Sequence, residues 1–138
     1  MKNVTIIKSN KELNTYEKYA LINSPSISAL KTLENREIIG VGNWCIYSTT
    51  DNNGRKMEIL SIQDSFTGMV YAGESQTFRD EFEKILDMVS SMGETDFYIE
   101  ALHRKSKAGR DYILCALVSP ENVQKRNGSF PVMNEPMK

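Results

Sequence analysis

The sequence is poor in the residues on which most metal and catalytic sites depend. It has one histidine, two cysteines and one tryptophan among 138 residues. Cys45 and Cys115 lie in separate apolar runs with no CxxC or Cys/His spacing, which argues against a zinc site or a disulfide scaffold and favours a reducing compartment. We therefore expect two reduced core cysteines and no metal.

Long apolar segments and enzyme motifs are missing as well. No run approaches the roughly 20 residues of a membrane-spanning helix, and the N-terminus MKNVTIIKSNKEL lacks the apolar stretch and cleavage site of an export signal. We expect a cytoplasmic protein without membrane contact. There is no GxxxxGKS/T, GxSxG, HExxH or GxGxxG motif, and the lone His103 has neither an orienting carboxylate nor metal co-ligands. We therefore expect no enzyme, no cofactor and no small-molecule substrate.

Positive and negative residues are nearly equal in number, but residues of like charge are clustered along the chain. The net charge is −1, from 17 Lys and Arg against 18 Asp and Glu, so attraction to a polyanion must come from local groups. Such groups occur at two predicted turns, which carry Arg55, Lys56, Arg104, Lys105, Lys107 and Arg110. The segment 76–100 instead holds seven acids, Glu94 among them, and two bases. We predict a basic rim and an acidic opposite end.

Five apolar segments bounded by turn residues predict strands at 36–49, 57–63, 69–73, 96–103 and 111–118. Gly40 and Gly42 suggest a bulge in the first strand. The sequence DNNG at 51–54 predicts a hairpin turn, and the polar link 104–110 predicts a second one.

One helix is predicted after the third strand. Apolar residues recur every three or four positions from Phe78 to Met92, so they share one face that we expect in the core. Thr77 with Asp80 fits a capping box, and Gly93 is placed to end the helix with a positive φ.

This order, β-β-β-α-β-β, is that of the OB-fold, a mainly β, five-stranded, partly open Greek-key barrel with one helix in the barrel. We assign 36–118 to it. Residues 1–35 form an N-terminal arm with a short strand at 4–7, one short helix within 10–21 and another beginning at Ser24-Pro25. Residues 119–138 form a flexible C-terminal tail with three of the four prolines.

The arm has too few apolar residues for its own core. Leu13, Tyr16, Tyr19, Ile27 and Leu30 must therefore dock on the barrel or on another subunit. Docking on a neighbour would link copies of the chain, so we expect self-association through the arm.

An OB-fold binds oligonucleotides or oligosaccharides across its second and third strands and the loops beside them. The two basic turns fall in those loops. Aromatic rings beside cations stack on unpaired bases, and the candidates are Trp44, Tyr47, Phe66, Tyr71 and Tyr112. If Val70 and Ala72 face the barrel, Tyr71 faces outward. The sequence assigns Trp44 neither to the core nor to the binding surface, because the glycines obscure the alternation of its strand.

The chain resembles a known family in two stretches, ILSIQDSFTGMVYAGESQTFRDEFEKI and RKSKAGRDYILCALV. Over 19–118, and most distinctively at YAGxSxTF (71–78) and SKxGR (106–110), it resembles the small single-stranded-DNA-binding proteins with atypical OB-folds of Gram-positive conjugative plasmids and phages. The resemblance implies sequence-tolerant binding of single-stranded DNA during plasmid transfer or phage replication. It does not identify the stacking residues.

We therefore predict a non-catalytic protein that coats single-stranded DNA, with weaker binding of duplex DNA or RNA left open. Two alternatives remain. One is an OB module that binds a protein partner through its aromatic residues, with little dependence on salt. The other is an oligosaccharide binder, in which rings stack on sugars and the cations play no part.

Overall fold

The computed structural model of the protein describes residues 3–93 and 96–126. The elements are, in order, β1 (Thr5–Ser9), α1 (Thr15–Lys18) with a π-helical turn (Tyr19–Asn23), β2 (Ser28–Ala29), a 3-10 turn (Leu30–Thr32), β3 (Ile38–Thr50), β4 (Lys56–Asp64), β5 (Val70–Gly73), α2 (Gln76–Ser91), β6 (Tyr98–Lys105), β7 (Asp111–Val118) and α3 (Pro120–Arg126). None of the helices in these ranges has the length and apolarity needed to cross a bilayer.

The strands form one mixed sheet that curls into half a barrel. Its order is β2-β5-β4-β3-β6-β7, and β1 adds to β3. The antiparallel meander β3–β4–β5 and the hairpin β6–β7 confirm the five predicted strands. The two-residue strand β2, which pairs in parallel with β5, was not predicted.

The bend in β3 lets this one strand pair with both halves of the sheet. Residues 38–40 pair with β6, whereas 45–48 pair with β1 on the same side. Between them the register with β4 shifts from Val41 to Trp44, which confirms the bulge predicted from the glycines. A Cβ on Gly40 would lie 2.1 Å from Ser65 Oγ, so a larger residue there would have to displace that side chain of the β4–β5 turn.

The main core lies between the sheet and α2. The predicted helix face is confirmed, because Phe78, Phe82, Ile85, Leu86 and Val89 are all buried. The ring of Trp44 packs edge-on against Phe82 at a centroid distance of 5.4 Å.

Of the two predictions for the ends of α2, the one at the C-terminal end is confirmed and the one at the N-terminal end is wrong. Gly93 has the expected positive φ of 75°. The Thr77 cap is wrong: the helix begins earlier, and Ser75 Oγ accepts the hydrogen bond from Phe78 N at 3.2 Å.

A second apolar cluster, which we call the arm cluster, joins the arm to the meander on the face away from the main core. Leu13 and Leu21 are buried there with Cys45, Tyr47 and Val70. The hydroxyl of Ser61 donates to the carbonyl of Leu21 at 2.7 Å. The arm therefore docks on its own barrel, and its largest rings outside that contact are Tyr16 and Tyr19, which are 85% and 53% exposed.

Two predictions for the chain ends are wrong in part. The arm has one short helix, α1 with its π turn, but Ser24-Pro25 begins no second helix; Pro25 lies in a turn that leads into β2. At the other end, 120–126 form α3 instead of a flexible tail, because Val123 is buried against Ile38 and Val118. The rest of the predicted tail, 127–138, and Glu94 lie outside the described residues.

Because the arm supplies part of a core, weakening its contact should destabilise the whole domain. Leu21 is fully buried, and we expect Leu21→Ala to lower the free energy of unfolding by about 2–5 kcal/mol through lost burial and a residual cavity. Tyr16→Ala, on the same arm, should change it by no more than about 0.5 kcal/mol. Urea denaturation of both variants measures this. Equal stability of Leu21→Ala and the unchanged chain would contradict an integral arm.

Candidate functional site

The hairpins β3–β4 and β6–β7 end in loops with the same backbone geometry. In the first, Asp51 N donates to Arg55 O at 2.9 Å and Gly54 N to Asp51 O at 3.0 Å. In the second, Ser106 N donates to Arg110 O and Gly109 N to Ser106 O, both at 2.9 Å. The two glycines have φ of 82° and 84°, values that glycine adopts without strain. We call these segments, 51–55 and 106–110, the twin loops.

The first side chain of each twin loop fixes the arginine at its end. Asp51 Oδ1 accepts from the backbone N of Arg55 at 2.9 Å, and Ser106 Oγ accepts from that of Arg110 at 3.1 Å. The two arginines therefore occupy equivalent positions in loops with matching hydrogen bonds. The signal is visible in the sequence as DNNGR and SKAGR, but its repetition was not recognised there.

A cleft of about 750 Å³ is lined by strand residues of both hairpins. It contains Ala29 of β2 and residues 111–113 of β7, the strands at the two ends of the sheet path, so it lies along the open side of the half-barrel. The larger apolar residues that line it are Leu30, Tyr47, Ile59, Tyr112 and Ile113. The polar ones are Lys31, Glu74, Ser75, His103 and Asp111. An apolar cleft with a few polar groups is the usual form of a ligand site.

Two carboxylates of the cleft hold cations of the hairpins. Arg55 Nη2 lies 3.2 Å from Glu74 Oε1, and this hydrogen bond and charge raise the pKa of the Arg55 guanidinium above its ordinary value. Lys105 Nζ lies 2.8 Å from Asp111 Oδ1, and its hydrogen bond and charge lower the pKa of that carboxyl. Both hairpins therefore border the same cleft.

Other basic side chains near the cleft have no carboxylate partner within the described ranges. Lys56, Lys107 and Arg110 are exposed and make no ion pair there. Arg104 is also exposed, and its Nη1 donates to the carbonyl of His103 at 3.1 Å. With Arg55 and Lys105, all six predicted cations lie on the two hairpins, both of which contribute residues to the cleft.

Only two of the five predicted aromatic residues, Tyr47 and Tyr112, line the cleft. Tyr112 is half-buried and lines the cleft. Tyr47 lines it too, but only 6% of its surface is exposed, because the arm covers it. Trp44 and Tyr71, 6% and 8% exposed, belong to the main core and form no part of the cleft.

The outward orientation predicted for Tyr71 is wrong. Tyr71 faces the main core, while Val70 packs in the arm cluster. Because the arm covers the outer face of β5, that strand is buried on both sides, and alternation alone could not tell which side faces the barrel.

Phe66 lies apart from the other candidates. It is 44% exposed, and its ring stacks on Tyr98 with centroids 5.4 Å apart. It follows the end of β4, whereas the first twin loop precedes its start, so about 26 Å of strand separates them at about 3.3 Å per residue. Phe66 therefore belongs to another part of the surface.

Over 3–93 and 96–126, no group of three or more His, Cys, Asp or Glu side chains could hold a metal ion. Comparison of the chain with protein-family models, curated proteins and solved structures finds no match. The resemblance to plasmid and phage proteins therefore stays a prediction.

The ion pair at the cleft has a measurable effect on titration. Since Lys105 lowers the pKa of Asp111, we expect Lys105→Met to raise that pKa towards the ordinary value of about 3.9. The stability that this pair contributes is present above the unfolded pKa and disappears as the pH falls through the lowered one. Carboxyl-carbon NMR of the two proteins tests this; an unchanged Asp111 titration would show that the pair does not persist in solution.

Proposed function

We propose that this protein is a non-catalytic, cytoplasmic single-stranded-DNA-binding protein. The twin loops and their hairpins bind the phosphates, and the cleft that the two hairpins line receives unstacked bases. The observation that carries the proposal is that the two hairpins ending in equivalent arginine loops both contribute residues to one apolar cleft. Such an arrangement lets a protein of net charge −1 attract a polyanion locally.

The preference for a single strand follows from the chemistry of the cleft. A duplex keeps its base faces stacked inside, so it offers the loops only phosphates. A single strand also offers π-faces that can enter an apolar cleft and stack on Tyr112, which is half-buried there. Because every base has such a face, binding should tolerate different sequences.

The fold supports an atypical OB assignment. This assignment is supported by the pairings β3–β4, β4–β5, β3–β6 and β6–β7 and by the place of α2 between β5 and β6 in the chain. The departures are β2, which adds to the free edge of β5, and the arm, which covers part of the meander. We therefore propose that the strand crosses the cleft instead of the face of the meander beneath the arm.

The cellular process rests on the sequence resemblance alone. It implies plasmid transfer or phage replication, and we adopt it on that basis. We propose that self-association through the arm uses Tyr16 and Tyr19, because Leu13 and Leu30 are buried within the chain.

Removing exposed cations from the second loop should weaken binding and its salt dependence. We expect Lys107→Ala/Arg110→Ala to bind oligo-dT more weakly, with the slope of log affinity against log salt smaller by about 0.7 for each lost phosphate contact. Fluorescence anisotropy at several salt concentrations, beside a duplex of equal length, measures this.

The control for these variants is Lys18→Ala/Lys84→Ala, which removes the same charge from two helices. Failure of the unchanged chain to bind oligo-dT at low salt would contradict the function. Tight binding of a protein partner that is insensitive to salt would then favour the interaction module.

Stacking in the cleft gives a separate prediction. Tyr112→Leu should lose about 1–3 kcal/mol of binding free energy for oligo-dT, the usual contribution of one stacked base, whereas Tyr112→Phe should retain the stack. Phe66→Leu, which changes a ring far from the twin loops, should bind as the unchanged chain does. A loss at Phe66 that equals the loss at Tyr112 would move the strand away from the cleft.

A further inference from the structure

The twin loops match in their backbone but differ in their charge partners. Arg55 is bound to Asp51 at 3.3 Å and to Glu74 at 3.2 Å. Its counterpart Arg110 makes no ion pair within the described ranges, because Ser106 stands where the first loop has Asp51. One arginine is therefore held by carboxylates before any ligand arrives, and the other is not.

The second held cation is Lys105, which is bound to Asp111. Glu74 and Asp111 come from different parts of the chain, yet both line the cleft. A carboxylate offers a guanidinium or ammonium group the same kind of charged oxygen that a phosphate does. The lip of the cleft therefore contains two anions in positions from which they compete for the cations that a strand would use.

We propose that Glu74 and Asp111 are built-in competitors of nucleic-acid phosphate, which hold Arg55 and Lys105 in the free protein and release them when a strand binds. This inference rests on the proposed function. Glu74 and Asp111 thus lower the affinity of the site for nucleic acid.

The exposure of the ion pairs makes such an exchange feasible. The side chains of Arg55 and Glu74 are 59% and 48% exposed, and those of Lys105 and Asp111 are 71% and 80% exposed. Ion pairs so open to water are weak, because solvent and salt screen them. A phosphate can therefore displace either carboxylate, but the released carboxylate then repels the bound strand.

Arg110 and Lys107 are cations that can bind phosphate without first leaving a carboxylate. They lie exposed on the second twin loop, so they can make the first phosphate contacts while Arg55 and Lys105 are still held. The two held cations join afterwards, Lys105 at the expense of Asp111, and Arg55 at the expense of Glu74 while Asp51 remains its second partner.

The test compares carboxylates at the cleft with one elsewhere. Glu74→Gln and Asp111→Asn should each raise the affinity for oligo-dT about two- to fivefold, the factor expected for removing a competing exposed ion pair. Asp87→Asn makes the same change in net charge at an exposed carboxylate of α2 that does not line the cleft, and it should change the affinity much less. Fluorescence anisotropy of the full chain with one labelled oligo-dT provides the measurement.

A double-mutant cycle separates competition from a general field effect. In an Arg55→Met background, Glu74→Gln should no longer raise the affinity, because the cation that it would release is absent; Lys105→Met should do the same for Asp111→Asn. A gain that persists in these backgrounds, or an equal gain from Asp87→Asn, would overturn the inference. So would an unchanged affinity in both cleft variants. If the unchanged chain binds no oligo-dT, the proposed function itself fails, which is a different result from a chain that binds without these effects.

Discussion

The bend of β3 at Gly40 and Gly42 is the constraint on which the rest of the structure depends. Through it one strand contributes to both halves of the sheet, with 38–40 on β6 and 45–50 on β4. Without it the hairpins β3–β4 and β6–β7 would point to opposite ends of a flat sheet, because β3 and β6 are antiparallel. In the curled sheet, strand residues of both hairpins line one cleft.

Local chemistry determined what could be predicted. The antiparallel strands of the meander and the last hairpin are apolar runs separated by turn residues, so their existence and order could be derived. Within the main helix, spacing alone identified Phe78 and Phe82 as core residues. The basic side chains of the site could be found for a similar reason, since charged residues crowd into turns that the pattern locates.

The aromatic part of the site could not be derived, because it depends on tertiary contacts. Tyr47 and Tyr71 lie on strands that are covered on both faces, one by α2 and the other by the arm. Nothing in the sequence of β5 shows that residues more than 40 positions earlier, such as Leu21, cover it. The short strand β2 could not be predicted for the same reason. Two residues are too few to show a period, and only their pairing with β5 defines them as a strand. The negative partners of the basic loops, Glu74 and Asp111, are likewise visible only in space.

The two layers that cover the sheet also place its two thiols in separate compartments. Cys45 lies under the arm, and burial raises its pKa to about 11; Cys115 lies under α2, with Sγ 3.7 Å from the carbonyl of Phe78, and burial raises its pKa to about 12. Neither thiol forms a thiolate readily at neutral pH, so its reactivity depends on local opening of the layer above it. The chain therefore carries one natural chemical reporter for each layer. Modification of Cys45 records the detachment of the arm, and modification of Cys115 records the separation of the helix from the barrel.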